Sequence, residues 1–426
     1  METPLTKNIT PGAGPLGLKE YEAAGGYRSL RKAIGKIRPE DIQQEVIKAD
    51  LRGRGGAGFP TGKKWGFVPA PDGGPRYLCI NADEMEPGTF KDRLLLEGDP
   101  HQMIEGAIVS AYAIGAGTIY LFIRREYVVA QERLAAAIHE AYLAGYLGDN
   151  ILGSNFSVRM ILHASAGRYM FGEETGLLNA LEGRRATPRA KPPYPQTSGL
   201  WGKPTVVNNV ETICCVHHIV NNGADWFRSL SANPAGGGGT KIYGVSGKVK
   251  NPGLWELPMG TKMGEVLELA GGMQEGLRFR GALPGGASTG FLTGQHLDVR
   301  LDFDSPAQFG SRMGTGTMIV MDDKTCPVGM VHNMMTFFMR ESCGWCTPCR
   351  DGLPWTTAIL YAIENGQGQM GDLEILREHT NWLGPGRTFC ALAPGAMEPL
   401  GTAMKYFRED FERHIKEKRC PWKGNT

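Results

Sequence analysis

A chain of 426 residues, 41% apolar and 21% charged with a net charge of +2, exceeds one ordinary core and calls for two or three domains. That balance excludes long disorder and a nucleic-acid-binding field. Nine cysteines, an odd number with one dense cluster, exclude a disulfide scaffold and point to intracellular metal chemistry, and the first ten residues hold no apolar segment of a secretory signal.

Residues 1–50 read as polar helices, with Pro39-Glu40-Asp41 opening the last of them. A glycine-rich loop follows at Gly53–Phe59. A short apolar strand over Arg76–Asn81 then ends in the acidic run Asp83-Glu84-Met85-Glu86. The uncharged stretch Gly106–Ile123 has nearly the length of a membrane span. Gly115, Gly117 and Thr118 interrupt it, so it reads as a buried helix over 101–114 and a strand over 118–124, with no direct membrane insertion. A helix over 129–145 and a strand over Ser157–His163 continue the alternation. Alternation of that kind predicts a mostly parallel sheet covered by helices.

Arg184–Pro204 is a loop rich in Pro and Arg, of a length usually tied to function. The four glycines at 236–239 suggest a domain boundary. Strands over Lys241–Val249 and Leu254–Leu257 and a helix over Lys262–Leu269 suggest a β-grasp-like module ending near 322. Helical patterns over 327–341, 354–364, 372–382 and 395–415 predict a four-helix bundle. The expected fold class is therefore α/β, in three parts: 1–240, 241–325 and 326–426.

Cys343, Cys346 and Cys349 form a C-x2-C-x2-C run, and Cys390 stands far downstream. Three thiolates at this pitch with a remote fourth suit a cuboidal iron–sulfur cluster. A zinc site, which usually takes separated C-x2-C pairs, fits less well. Cys79, Cys214, Cys215, Cys326 and Cys420 lack such spacing and read as small buried residues.

The other signals are individually modest. Gly53–Gly58 matches G-x-G-x-x-G, but a polar helix precedes it where a dinucleotide fingerprint needs a strand. Its glycines and Lys63-Lys64 suit a phosphate, and Phe59, Trp65 and Phe67 could stack on a planar ring; a plain turn explains the segment equally well. Asp83, Glu84 and Glu86 stand at a strand end, where α/β sheets bind ligands, or form a solvated acidic loop. Glu173 and Glu174 open a helix and could serve only its dipole, and Asn208-Asn209 could simply cap one.

Taken together, Gly53–Trp65 (GRGGAGFPTGKKW), Asn81–Asp92 (NADEMEPGTFKD), Gly172–Thr175 (GEET), Lys191–Pro195 (KPPYP), Trp201–Thr212 (WGKPTVVNNVET) and Glu341–Gly352 (ESCGWCTPCRDG) resemble a known family. It is that of the NADH-binding, flavin-containing subunits of respiratory complex I, the NADH–quinone oxidoreductase. The likeness runs over residues 19–415.

The resemblance implies non-covalent FMN, NADH stacked over it and one [4Fe–4S] cluster on Cys343, Cys346, Cys349 and Cys390. The flavin domain would lead, followed by the β-grasp module and a helical bundle holding the cluster. Gly53, Arg54, Gly55, Gly56, Gly58 and Lys64 would line the cleft. Asn81, Asp83, Glu84, Gly172, Asn208, Asn209 and Thr212 match flavin-contacting positions. Glu86 and Glu174 match those holding ribose hydroxyls, and with Glu84 they would position NADH. Phe59, Phe67 and Tyr194 would surround the adenine, with Lys191 nearby, and Tyr169, Glu173 and Val207 complete the cofactor-binding set.

No protein acid or base is implied, because hydride passes directly to the flavin. The implied partners are a thioredoxin-like [2Fe–2S] subunit and the large multi-cluster subunit. The implied location is the cytoplasmic side of a bacterial inner membrane, or the matrix side in a mitochondrion; the lack of an obvious transit peptide favours the former. The diaphorase component of a soluble NAD-linked hydrogenase or formate dehydrogenase is the alternative. Phe171, Ser165, Gly176 and Tyr194 depart from the family pattern, and lying close to the flavin they could alter its packing.

Overall fold

The computed structural model describes residues 2–423. The chain forms two compact units. The first comprises the chain up to Met85, Phe90–Ile242 and Trp255–Gly260; the second comprises Glu86–Thr89, Tyr243–Leu254 and the chain from Thr261 onward.

The first unit is built on a parallel sheet of β1 (Tyr77–Ala82), β2 (Thr118–Ile123), β3 (Arg159–Ala164) and β4 (Thr205–Asn209), in the order β3-β2-β1-β4. The β-branched and aromatic residues of β1, β2 and β4 suit buried strands, while β3 at the edge is largely exposed. The helix Pro100–Ile114 begins where the Asp99 carboxylate accepts a hydrogen bond from the Gln102 N–H at 3.3 Å. It ends at Gly115, whose φ of 69° only glycine adopts freely. This glycine splits the membrane-like stretch into helix and strand, as expected. No helix of the described residues is long and apolar enough to cross a membrane.

The same helix crosses the helix Val210–Asn222 at Gly106, where a Cβ would lie 2.2 Å from the Ile213 carbonyl oxygen. Its Glu105, fully buried, gathers the N-terminal helices: it accepts from Tyr21 Oη at 2.6 Å, Tyr27 N at 2.8 Å and Ser29 N at 3.0 Å. The glycines at 236–239 are not a loose linker. Gly238 donates to the Asp50 carbonyl, and a Cβ there would sit 2.1 Å from the Ala49 carbonyl oxygen.

A five-stranded mixed sheet follows the order β6-β5-β9-β7-β8, with β5 at Thr240–Gly247, β6 at Gly253–Pro258, β7 at Phe279–Leu283, β8 at Leu292–Thr293 and β9 at Thr317–Asp322. β5 runs parallel to β9, and β7 pairs antiparallel with both β8 and β9.

The helices Pro327–Glu341, Thr347–Glu364, Met370–Trp382, Leu392–Tyr406 and Arg408–Glu417 complete the second unit. Two details differ from expectation. The second helix starts at Thr347 and carries Pro354 inside it. The expected helix over 395–415 is two helices. Phe407 leaves the helical conformation (φ −127°, ψ 25°) and packs its buried ring edge-on against Phe291, with centroids 5.4 Å apart. Burial of an aromatic ring outweighs one turn of helix continuity at that point.

Candidate functional site

The order β3-β2-β1-β4 contains one reversal. From β1 the chain moves outward through β2 to β3, then returns to place β4 on the other side of β1. Ligands of open α/β sheets bind beyond the carboxyl ends of the strands at such a switch point. Asn81, near the end of β1, stands in register with Asn209, the last residue of β4.

The glycine-rich loop folds onto this point. Arg54 N donates to Thr212 Oγ1 at 2.8 Å, and a Cβ on Gly55 would approach Asn209 Cβ to 3.2 Å. Gly56 and Gly58 have φ of 116° and 66°, in the left-handed region that favours glycine. Lys64 donates to the Val207 carbonyl at 3.0 Å, and Trp65 Nε1 to Asn208 Oδ1 at 3.0 Å. Asn81 Nδ2 donates to the Phe171 carbonyl at 2.9 Å, which draws the turn Tyr169–Gly172 to the same place. The half-buried Tyr169 and exposed Gly172 bound that turn, and a Cβ on Gly172 would meet nothing within 4 Å.

A short chain of charges adjoins the loop. Glu173 caps the helix Glu174–Leu181 by accepting from Thr175 N at 2.9 Å and Gly176 N at 2.8 Å. Glu174 lies between two cations, 2.7 Å from Lys191 Nζ and 3.9 Å from Lys64 Nζ. Burial lowers the Lys64 pKa against the pull of Glu174. Burial also acts to lower Lys191, but Glu174 and Glu173 outweigh it and hold the ammonium above its ordinary value. Phe59, Phe67 and Tyr194 are 43%, 50% and 56% exposed, and the two phenylalanine rings lie 6.4 Å apart. Such exposed rings suit stacking.

The acidic run is engaged by the protein itself. Asp83 Oδ1 accepts from Ser165 Oγ at 2.8 Å. Glu84 accepts from Asp92 N at 2.9 Å and Tyr127 Oη at 3.0 Å; burial, with Asp92 nearby, pushes it up to about 7. Glu86 belongs to the second unit, where its Oε1 accepts from Ser288 N at 2.7 Å. Arg54 turns its fully buried guanidinium inward to the Gly238 and Thr240 carbonyls, so only its backbone faces the loop. Trp65 is fully buried and unavailable for stacking.

Sequence reasoning missed the support beneath this site. The buried Glu211 carboxylate meets Lys91 Nζ at 2.8 Å and Lys241 Nζ at 3.0 Å and accepts from Ile242 N at 2.9 Å. Burial alone would raise its pKa, but Lys241, Lys91 and Arg54 hold it near about 2. Lys91 also pairs with Asp92, whose second oxygen accepts from Asn209 Nδ2 at 2.6 Å. An isolated lysine and glutamate carry no periodicity, so no local signal announces the group.

The departures resolve individually. The Phe171 ring is 2% exposed and packs edge-on against Phe122 at 5.1 Å, in a cluster with Cys79, Leu177, Leu178 and Leu200. Ser165 supplies the hydroxyl that holds Asp83. At Gly176 a Cβ would sit 2.6 Å from the Met170 carbonyl oxygen, so glycine permits that close approach.

In the second unit Cys346 caps the helix Thr347–Glu364 and Cys349 lies in its first turn. Cys349 is buried; Cys343, Cys346 and Cys390 are half-exposed. Cys349 Sγ is 3.1 Å from Ser342 Oγ. Burial pushes its thiol up to about 12, and Cys346, Cys390 and Cys343 act in the same direction. Trp345 and Phe389, with ring centroids 6.3 Å apart, join the two cysteine-bearing loops. Four gathered thiols at a helix start match the donor set of an iron–sulfur cluster, and the glycine cradle at the switch point fits a phosphate-bearing planar cofactor.

These two sites define a class: a flavin-binding α/β unit joined to a thiolate-ligated iron–sulfur region. Residues 46–218 match the Nuo51 FMN-binding domain, 242–292 the SLBB domain, and 329–414 the NADH-ubiquinone oxidoreductase-F iron–sulfur binding region. The chain belongs to the family of NADH-quinone oxidoreductase F subunits. It is 53% identical to the F subunit of Salmonella typhimurium, and equally to that of Escherichia coli, over 97% of this chain and 93% of each relative. It is 51% identical to the second such protein of Rhizobium meliloti over 99% of both chains.

Among solved structures, an NAD+-reducing [NiFe]-hydrogenase in the H2-reduced state superposes with a TM-score of 0.80 at 37% identity, covering 90% of this chain. The match spans only 63% of the hydrogenase chain. The cofactors of this chain are FMN and a [4Fe–4S] cluster, with NADH as the nucleotide. As a component of the peripheral arm it works with partner subunits.

Proposed function

We propose that this chain is the NADH-oxidising subunit of a respiratory NADH–quinone oxidoreductase. The observation that carries the reading is the folding of the glycine loop onto Asn209 and Thr212 at the β1/β4 switch point. A flavin held at the switch point would supply hydride acceptance from NADH, and a cluster on Cys343, Cys346, Cys349 and Cys390 would supply one-electron transfer.

The chain's own residues bind and orient. Backbone N–H groups of Gly55, Gly56 and Gly58 would cradle phosphate, with Lys64 as the nearby cation, while Gly53 closes the loop by donating its own N–H to the Phe59 carbonyl at 2.9 Å. Asn81, Asp83, Glu84, Gly172, Val207, Asn208, Asn209 and Thr212 shape the flavin site. Glu174, poised between Lys64 and Lys191, accepts from a ribose hydroxyl, as does Glu86. Phe59, Phe67 and Tyr194 hold the adenine, flanked by Lys191, Tyr169 and Glu173. Cys343, Cys346, Cys349 and Cys390 ligate the cluster.

The chain divides functionally at 1–240, 241–325 and 326–426. Its partners are a small thioredoxin-like [2Fe–2S] subunit and a large multi-cluster subunit. It sits on the cytoplasmic side of a bacterial inner membrane, or the matrix side in a mitochondrion. The TM-score of 0.80 to the NAD+-reducing hydrogenase favours, as second reading, a diaphorase component with the same chemistry in a different assembly.

The test is an anaerobic titration of the purified chain with NADH, followed by flavin absorbance. About one equivalent of NADH per flavin should bleach it. A folded, cluster-bearing protein with no flavin overturns the reading. Co-purification with quinone-reducing subunits rather than a hydrogenase separates the two assemblies.

A further inference from the structure

Two cysteines that looked inert in the sequence meet in the second unit. Cys326 caps the helix Pro327–Glu341, and Cys420 lies in the tail beyond the last helix; both side chains converge on Glu364 and His414. One donor atom from each of the four lies within 4.8 Å of every other. Cys326 Sγ is 3.3 Å from both Glu364 Oε2 and His414 Nε2, and those two are 3.2 Å apart. Donor separations of roughly 3.3–3.8 Å are the edges of a tetrahedron around zinc with bonds of about 2.0–2.3 Å.

We propose that Cys326, Glu364, His414 and Cys420 bind a structural zinc ion that fastens the C-terminal tail to the helical region. The surroundings prepare three of the four ligands. His414, fully buried, has Nδ1 2.6 Å from the Asp410 carbonyl oxygen. A carbonyl only accepts, so Nδ1 carries the proton and the Nε2 lone pair faces the cluster, the usual arrangement of a ligating histidine. Gly329 N, in the first turn of its helix, donates to Cys326 Sγ at 3.2 Å and favours thiolate there. Two thiolates and a carboxylate around a dication leave one negative charge, which Lys423 offsets from 3.1 Å beyond Glu364 Oε1.

Trp422 stacks on the His414 ring, with centroids 5.6 Å apart and planes at 17°, and closes the site toward the tail. Two sulfurs with one imidazole select a borderline-soft ion, and four protein ligands leave no open position, so the ion is structural. The bland alternative is a network closed by thiol protons.

The experiment measures zinc and iron by mass spectrometry in the flavin- and cluster-loaded protein, purified without added metal or chelator. About one zinc per chain is expected beyond the cluster iron. Cys420→Ser and Cys326→Ser should each lose at least tenfold of that zinc with flavin and iron unchanged. Zinc-edge X-ray absorption on the wild type should show two sulfurs near about 2.3 Å with nitrogen and oxygen, and this reading stands even if both variants are insoluble. Protein that has no zinc and retains none after incubation with zinc and desalting overturns the proposal. So does zinc that persists in both variants. A four-sulfur shell assigns the ion to the Cys343–Cys390 set and overturns it as well.

Discussion

At the carboxyl ends of β1 and β4, the protein holds nearly every polar side chain itself: Asp83 by Ser165, Glu84 by Tyr127 and the Asp92 backbone, Asn209 by the Asp92 carboxylate. The cysteine site is built otherwise. Two loops bring four thiols together through an aromatic pair, and one hydroxyl touches one sulfur. The first site is organised by buried charge and backbone, whereas the second rests on thiols carried by a helix start and two loops.

The sharpest way to break that contrast is Cys346→Ala. Cluster iron and the reduced-cluster EPR signal should disappear while NADH still bleaches the flavin; a normal EPR signal would remove Cys346 from the ligand set. Next in size is Glu211→Gln. It removes the charge that Lys91 and Lys241 share in a fully buried site, leaving Lys241 without its carboxylate, and should cost about 3–5 kcal/mol in denaturant unfolding. A loss near zero would show that the charge network is not what preorganises the flavin side.

Smaller effects sharpen the nucleotide assignment. Glu174→Gln or Glu86→Gln should weaken NADH binding about tenfold, or about 1.4 kcal/mol, at unchanged flavin content. Unaltered affinity in both would separate these carboxylates from the ribose.

A different effect is a change of slope with pH, in which the two buried carboxyls act with opposite sign. Glu211, held near about 2 against an unfolded value of 4.5, contributes stability that is present above pH 4.5 and is lost as pH falls through about 2. Glu84, pushed up to about 7, keeps its proton in the fold longer than in the unfolded chain; its contribution is full below pH 4.5 and fades as pH rises to about 7. In melts across pH, Glu84→Gln should flatten the neutral side and Glu211→Gln the acid side. A wild-type curve that both variants reproduce would show that neither carboxyl titrates with folding.

Much of the architecture was legible because its signals are local. Gly115 separates helix from strand wherever it occurs, and three thiols at equal pitch need no tertiary information to suggest one metal cluster. Where reading went astray, a distant partner had intervened. Phe407 breaks a helix because Phe291 offers its ring a buried edge. Trp65, placed among stacking residues by its neighbours in sequence, is drawn inside by Asn208. Cys326, read as a small buried residue, is half-exposed, with Glu364 and His414 from distant helices at its sulfur.

The sequence by itself determined the alternation that makes a parallel sheet, the cysteine cluster and the motifs that mark the family, all properties of spacing along one chain. Tertiary structure alone decided that Asn81 stands opposite Asn209, that Lys91, Glu211 and Lys241 share one buried charge, and that Glu364 and His414 close on two remote thiols. Desolvation is the physical reason. A charged or thiol side chain gains its pairing and its shifted proton affinity only once the fold has removed water around it, and no spacing encodes which partner will then be near.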